Sequence, residues 1–122
     1  MKINYKATNF DLSAEVQGYF EKRIESVGKV IDIENPTLFL AVELGRTSEH
    51  HQQGKIFRAE VNLEIDGDVF RSVSVKEDIM SAIDEAKDDL VRELRKRKGK
   101  RMSIFRKGRK KIKDIMKGFY SK

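Results

Sequence analysis

Thirteen lysines and arginines crowd two short segments late in the chain. Arg92, Arg95, Lys96, Arg97, Lys98, Lys100 and Arg101 fall within ten positions, and Arg106, Lys107, Arg109, Lys110, Lys111 and Lys113 within eight. Clusters this dense attract phosphate oxygens, because each neutralised phosphate releases counterions whatever the base sequence. Lys22, Arg23 and Lys29 form a smaller basic group earlier in the chain. Cations carried on a helix suit structured RNA, which proteins read largely through its backbone and 2′-hydroxyls. Composition alone does not choose between RNA, DNA and anionic lipid.

Other chemistry finds little support. There is no cysteine, which excludes disulfides, thiolate metal sites and cysteine nucleophiles. His50 and His51 are the only histidines, beside Glu49 in a polar segment. A metal site needs three or four converging ligands, and adjacent side chains of an extended segment diverge, so no metal is expected there. Asp84, Glu85, Asp88 and Asp89 could do acid–base work only in a pocket that raises a pKa, and they read as a solvated helix face. No phosphate-cradling glycine loop is present. The expectation is a protein that is not an enzyme and needs no cofactor.

The charge is divided along the chain. The whole carries +6, but residues 1–91 carry −7 and residues 92–122 carry +13. An acidic body is thus joined to a strongly basic end, an asymmetry that points to a polyanionic partner. The 122 residues, 39% hydrophobic and 38% charged, fit one domain with a short appendage. No apolar run could span a bilayer and no secretory signal opens the chain, so a soluble cytoplasmic protein is expected.

Periodicity supplies the elements. Lys2–Lys6 reads as a strand, Asn9-Phe10-Asp11 interrupts, and Ser13 caps a helix whose Val16, Phe20, Ile24 and Val27 form one apolar stripe. Pro36 leads into a strand over Thr37–Leu44, and Gly45–Gly54 reads as a polar loop. Lys55–Ile65 alternates cleanly, Asp66-Gly67 is a strong two-residue hairpin signal, and Val69–Lys76 forms the returning strand. With that turn, Leu63 opposes Phe70, Val61 opposes Ser72 and Ala59 opposes Ser74; a longer turn would reverse the faces. Asp78 caps a second helix bearing Ile79, Ile83, Ala86, Leu90 and Leu94, with Gly99 as its stop. The order β-α-β-β-β-α implies an α+β fold. A parallel crossover comes first, and both helices cover one face of a four-stranded mixed sheet. Residues 1–99 form the domain and residues 100–122 a basic tail. In the tail, Ile112, Ile115, Met116 and Phe119 share one helical face.

This pattern resembles the ribosome hibernation promoting factors, also called protein Y or ribosome-associated inhibitor A. Glu77-Asp78-Ile79-Met80-Ser81-Ala82-Ile83-Asp84 is similar to the family's E-D-M-Y-x-A-I-[DN], and Leu90-x-Arg92-x-Leu94 follows it. Asp11-Leu12-Ser13 entering the first helix and the Asp66-Gly67 hairpin also match. Ser26 and Asp89 stand where relatives often carry lysine, and Met80 replaces a frequent tyrosine. The resemblance covers about residues 1–98 and implies a shape related to double-stranded RNA-binding domains.

It further implies binding to the small ribosomal subunit and its rRNA, in the channel of messenger and transfer RNA, with translation blocked by occlusion. Arg23, Lys29, Arg92 and Lys96 match basic positions of the family. A free monomer with no membrane association is expected. Two rivals stand beside this expectation: a general structured-RNA-binding or RNA-chaperone protein, and a membrane-surface protein anchored by the tail's amphipathic stripe.

Overall fold

Asp66 and Gly67 both take positive φ, 49° and 86°, the geometry of a tight two-residue hairpin whose twist matches its strands. That turn sets the register expected from the sequence: Leu63 pairs with Phe70, Val61 with Ser72 and Ala59 with Ser74. The computed structural model describes residues 1–47 and 56–97. The elements in chain order are β1 (Lys2–Thr8), α1 (Ala14–Ile24), β2 (Phe39–Arg46), β3 (Phe57–Ile65), β4 (Asp68–Lys76) and α2 (Ile79–Arg97). The strands lie in the order β1-β2-β3-β4, with β1 parallel to β2 and the other neighbours antiparallel. Both helices pack against this four-stranded mixed sheet, the α+β arrangement predicted from the sequence.

Local chemistry accounts for the helix starts. The Ser13 hydroxyl accepts from the Val16 amide at 3.1 Å, satisfying one of the donors a helix leaves open. Asp78 accepts from the Ser81 amide at 2.8 Å at the start of α2. Val16, Phe20 and Ile24 are buried as the α1 stripe predicts. Val27 is buried too, but in a 3-10 turn over Glu25–Lys29 that continues α1. Glycine at 28 and the β-branched residues around it weaken regular α-helix there. Ile79, Ile83, Ala86, Leu90 and Leu94 of α2 are all buried. Between the helices and the sheet lie Leu40, Val42 and Leu44 of β2, Ala59, Val61 and Leu63 of β3, and Phe70 of β4.

Several boundaries differ from those expected: β3 begins at Phe57, with Ile56 outside the strand, and β4 already at Asp68. β1 runs on to Thr8, because Asn9, at φ 51°, is the first residue to leave extended geometry. The second strand begins at Phe39 rather than Thr37. The Asn35 carboxamide oxygen accepts from both the amide and the hydroxyl of Thr37, at 2.8 and 2.7 Å, and holds it in a turn. The Thr37 hydroxyl in turn accepts from the Asp66 amide at 2.8 Å, tying this turn to the hairpin. Gly45 and Arg46, expected in a loop, extend β2 and pair with Arg58 and Phe57. Residues 48–55, which include His50 and His51, and the tail with its Ile112–Phe119 stripe lie outside the described residues.

The sheet face away from the helices is organised around Glu60. Its carboxylate accepts from Arg71 at 2.8 Å, Arg58 at 2.9 Å and Asn62 at 3.1 Å. The Arg71 hydrogen bond is the main cause that pushes the Glu60 carboxyl down to about 2, with Asn62 and Arg58 adding to it against the cost of desolvation. Val69, Val73 and Val75 also lie on this face, as the two-residue turn predicts, and Val69 is exposed.

Candidate nucleic-acid interface

The cations singled out in the sequence gather at the C-terminal ends of the two helices. Lys22 and Arg23 occupy the last turn of α1, and Lys29 the turn that follows. Arg95, Lys96 and Arg97 occupy the last turn of α2, and Arg92 lies one turn earlier. Positive side chains there meet the negative end of each helix dipole, which stabilises them independently of any ligand. Strand directions put the two groups at the same end of the fold. α1 runs against β1 and β2, which it connects. α2 runs against β4: Glu85 meets Lys76, Ser72 bonds the Ala86 carbonyl, and Arg97 covers Phe70. Since β2 and β4 point the same way, so do the two helices.

Their electrostatic surroundings differ. Arg23 lies 3.3 Å from Asp84 and over the Tyr19 ring, 4.7 Å from its centre. The Tyr19 hydroxyl donates to the same carboxylate at 2.9 Å. Arg92 pairs with Asp89 at 2.6 Å, and Lys96 and Arg97 with Glu93 at 4.0 and 3.7 Å. The Arg97 guanidinium also stacks on Phe70, 4.2 Å from the ring centre, which fixes it against the sheet. Lys22, Lys29 and Arg95 are exposed and make no ion pair among the described residues. The seven predicted cations in the described part thus divide into three open ones and four that share an acid.

The acidic residues of α2 are correspondingly less solvated than their spacing implies. Asp84 binds Tyr19 and Arg23, Glu85 pairs with Lys76 at 2.6 Å, and Asp88 with Lys87 at 2.6 Å. The Glu85 contact holds the Lys76 ammonium above its ordinary pKa. α2 as a whole carries five acids and five bases. Its attraction for a polyanion therefore depends on which cations turn outward, not on net charge.

A groove of about 400 Å³ runs between α2 and the edge strand β4, lined by Arg71, Ser72, Val73, Asp89, Arg92, Glu93 and Lys96. Arg71 is the member that the helix-centred expectation missed. Its place facing away from the core on an edge strand was readable from the alternation of β4, but its proximity to Arg92 and Lys96 is a tertiary fact. Three cations and a strand edge can receive phosphate oxygens, whereas nothing here positions a nucleophile or a general base. Among the described residues no cluster of His, Asp and Glu is arranged to hold a metal ion, and no helix is long and apolar enough to cross a membrane. The remaining predicted cations, Lys98, Lys100, Arg101, Arg106, Lys107, Arg109, Lys110, Lys111 and Lys113, lie outside the described residues.

Comparison with known proteins adds an independent line. The family model described as "Sigma 54 modulation protein / S30EA ribosomal protein" matches residues 3–102. Among solved structures, the chain is similar to the N-terminal domain of protein Y from Thermus thermophilus, with 25% identity and a TM-score of 0.65 over 79% of this chain and 98% of that one. It is also similar in fold to a ribosomal subunit interface protein from Coxiella burnetii, with 17% identity and a TM-score of 0.64 over 82% of this chain and all of the other. No curated protein matches the chain in sequence.

Proposed function

The chain belongs to the ribosomal S30AE family, that of protein Y and the ribosome hibernation factors, and we propose that it silences idle ribosomes by occupying the small-subunit channel of messenger and transfer RNA. Association with the ribosome, without catalysis, follows from the family. Occlusion of this channel is the finer step. Support comes from one observation above the rest: the family match spans both helices, and their cationic ends lie at one end of the fold, where Lys22, Lys29 and Arg95 face outward.

The mechanism is steric and electrostatic. Outward cations engage rRNA phosphates, and the four acid-paired cations exchange a carboxylate for a phosphate as they dock. Such an exchange costs more than engaging an open cation, because the displaced carboxylate stays beside the polyanion. Residues 1–99 act as the ribosome-binding domain. The basic residues from Lys100 to Lys113 add sequence-independent contacts to rRNA, each strengthening the salt dependence of binding. With the channel filled, neither messenger nor initiator transfer RNA has room, and no chemical step or cofactor enters. The free protein is a cytoplasmic monomer.

A reconstituted translation reaction tests this. Added protein should comigrate with small subunits on a sucrose gradient, inhibit initiation and lower initiator transfer-RNA binding, and excess messenger should relieve the inhibition. Strong inhibition with undiminished transfer-RNA binding would rule out occlusion. Equal affinity for naked duplex RNA and for ribosomes would favour a general RNA-binding protein instead.

A further inference from the structure

A second groove, of about 560 Å³, lies at the opposite edge of the sheet, between β1 and α1. Its apolar wall includes Met1, Ile3, Tyr5 and Ile33, and beside it stand Glu21 on α1 and Glu25 in the turn that continues α1. Met1 and Ile33 are two of only three large hydrophobic side chains that are exposed among the described residues, at 44% and 36%. Exposed apolar side chains that converge on one concave, acid-edged surface mark a docking site more specifically than scattered ones do. The Tyr5 hydroxyl donates to Glu21 at 2.9 Å, which holds that carboxylate at the rim. Glu21 and Glu25 are one helical turn apart, so both face the groove, while Tyr19 and Arg23 face α2.

We propose that this groove is the intramolecular docking site of residues 112–119 of the same chain. Ile112, Ile115, Met116 and Phe119 have the spacing of a single apolar helical face, and Lys111, Lys113 and Lys117 flank them. The segment therefore offers the complement of the groove, apolar side chains for its wall and ammonium groups for its acidic edge. Charge drives the encounter: residues 1–97 carry nineteen acids against fifteen bases, and residues 98–122 carry eleven bases against Asp114 alone.

The geometry permits it. Both helices run the same way, so α2 ends at the end of the fold where Met1 precedes β1 and where Glu21 and Glu25 flank the end of α1. The sheet order separates the two edges by three strand spacings, roughly 14 Å. The fourteen residues 98–111 can extend to roughly 45–50 Å, more than the span around the body requires. In the free protein the docked segment covers the exposed apolar side chains, and a polyanion competes for its lysines.

The absence of cysteine permits a direct test on the full chain. A nitroxide attached through Ser121→Cys should broaden the NMR signals of Ile3, Tyr5 and Ile33, and leave those of Val69 and Val73 on the open sheet face sharp. Glu21→Lys with Glu25→Lys, shown to be folded by unchanged chemical shifts of β3 and β4, should abolish the broadening, and so should Ile115→Asp with Phe119→Asp in the segment itself. Broadening at Val69 and Val73, or none at the groove, would overturn the proposal. Broadening that persists in the charge-reversed variant would do the same. A mixture of isotope-labelled chain with spin-labelled, unlabelled chain separates a second copy from the same chain, and groove broadening in that mixture would replace the intramolecular contact by a dimer.

Discussion

Asp84 of α2 holds the Arg23 guanidinium of α1 at 3.3 Å while accepting the Tyr19 hydroxyl at 2.9 Å. One carboxylate therefore joins the two helices and restrains a cation that lies at the candidate interface. Replacing it by Asp84→Asn should cost up to about 1 kcal/mol, because the pair is half exposed and screened. Arg23 is then released toward solvent. If Arg23 exchanges this carboxylate for an rRNA phosphate on docking, ribosome affinity should rise in the variant, because no carboxylate has to be displaced beside the polyanion. An unchanged affinity in filter binding over several salt concentrations would place Arg23 outside the interface.

The three open cations offer a cleaner measurement. Lys22→Gln, Lys29→Gln and Arg95→Gln together remove no ion pair among the described residues. Exposed substitutions of this kind shift stability by about 0.5 kcal/mol or less each, so the melting temperature should hardly move. Ribosome affinity should fall, with a salt slope shallower by roughly two if each side chain meets a phosphate. A folded triple variant with full affinity would exclude this face.

Glu60 makes a prediction in pH. Its carboxyl is held down to about 2 in the folded protein, chiefly by Arg71. A carboxylate whose folded pKa is depressed contributes stability above its unfolded pKa and loses that contribution as the pH falls. The window therefore runs from the ordinary value of 4.5 down to about 2. Glu60→Gln should cost about 1 kcal/mol at pH 7, the value of a screened surface network, and almost nothing near pH 2. Chemical denaturation of both proteins across that range checks it.

Two serines on β4 should behave oppositely. The Ser72 hydroxyl donates to the Ala86 carbonyl at 2.7 Å in the core, whereas the buried Ser74 hydroxyl has no partner among the described residues. Ser72→Ala should cost about 1 kcal/mol, and Ser74→Ala should be neutral or slightly stabilising. Urea midpoints of the two variants measure the contrast.

Gly45 supplies a steric prediction. A Cβ there would collide with the Thr8 carbonyl oxygen of the neighbouring parallel strand. Gly45→Ala must push β1 away from β2, and a loss of about 2 kcal/mol or more is expected in thermal unfolding. Retained stability would mean that the β1 end yields freely.

These residues also mark what a sequence can disclose. The stripes of α1 and α2 and the Asp66-Gly67 turn were legible because each is a local rule: a periodicity, or the φ that a turn demands. Once the turn was two residues long, the register put serines toward the helices and valines outward without further information. Gly45 reads as a loop residue from sequence alone, since its reason for being glycine is the close approach of Thr8, 37 residues earlier. The β propensity of Thr37 suggests a strand, but its ties to Asn35 and Asp66 override that propensity and hold it in a turn. For the candidate site, the cations were legible and their company only in part. The Asp89 partner of Arg92 stands three residues away on the same helix, within reach of a local rule, but only the tertiary structure reveals that Asp84 holds Arg23.

The identity of sheet order and chain order has a consequence for synthesis. Each strand after the first joins a neighbour that has already been made, so none must insert between paired strands. The sheet can grow from one edge as the chain emerges, with β1 waiting through a single helical crossover for β2 and every later pairing local. α2 comes last and closes over β3 and β4 through Ser72–Ala86 and Lys76–Glu85. Until then Phe70, Leu63 and Val61 have no cover from α2, and the nascent chain is most exposed to misassociation just before Leu94 clears the exit. Vectorial growth confines that hazard to one short interval.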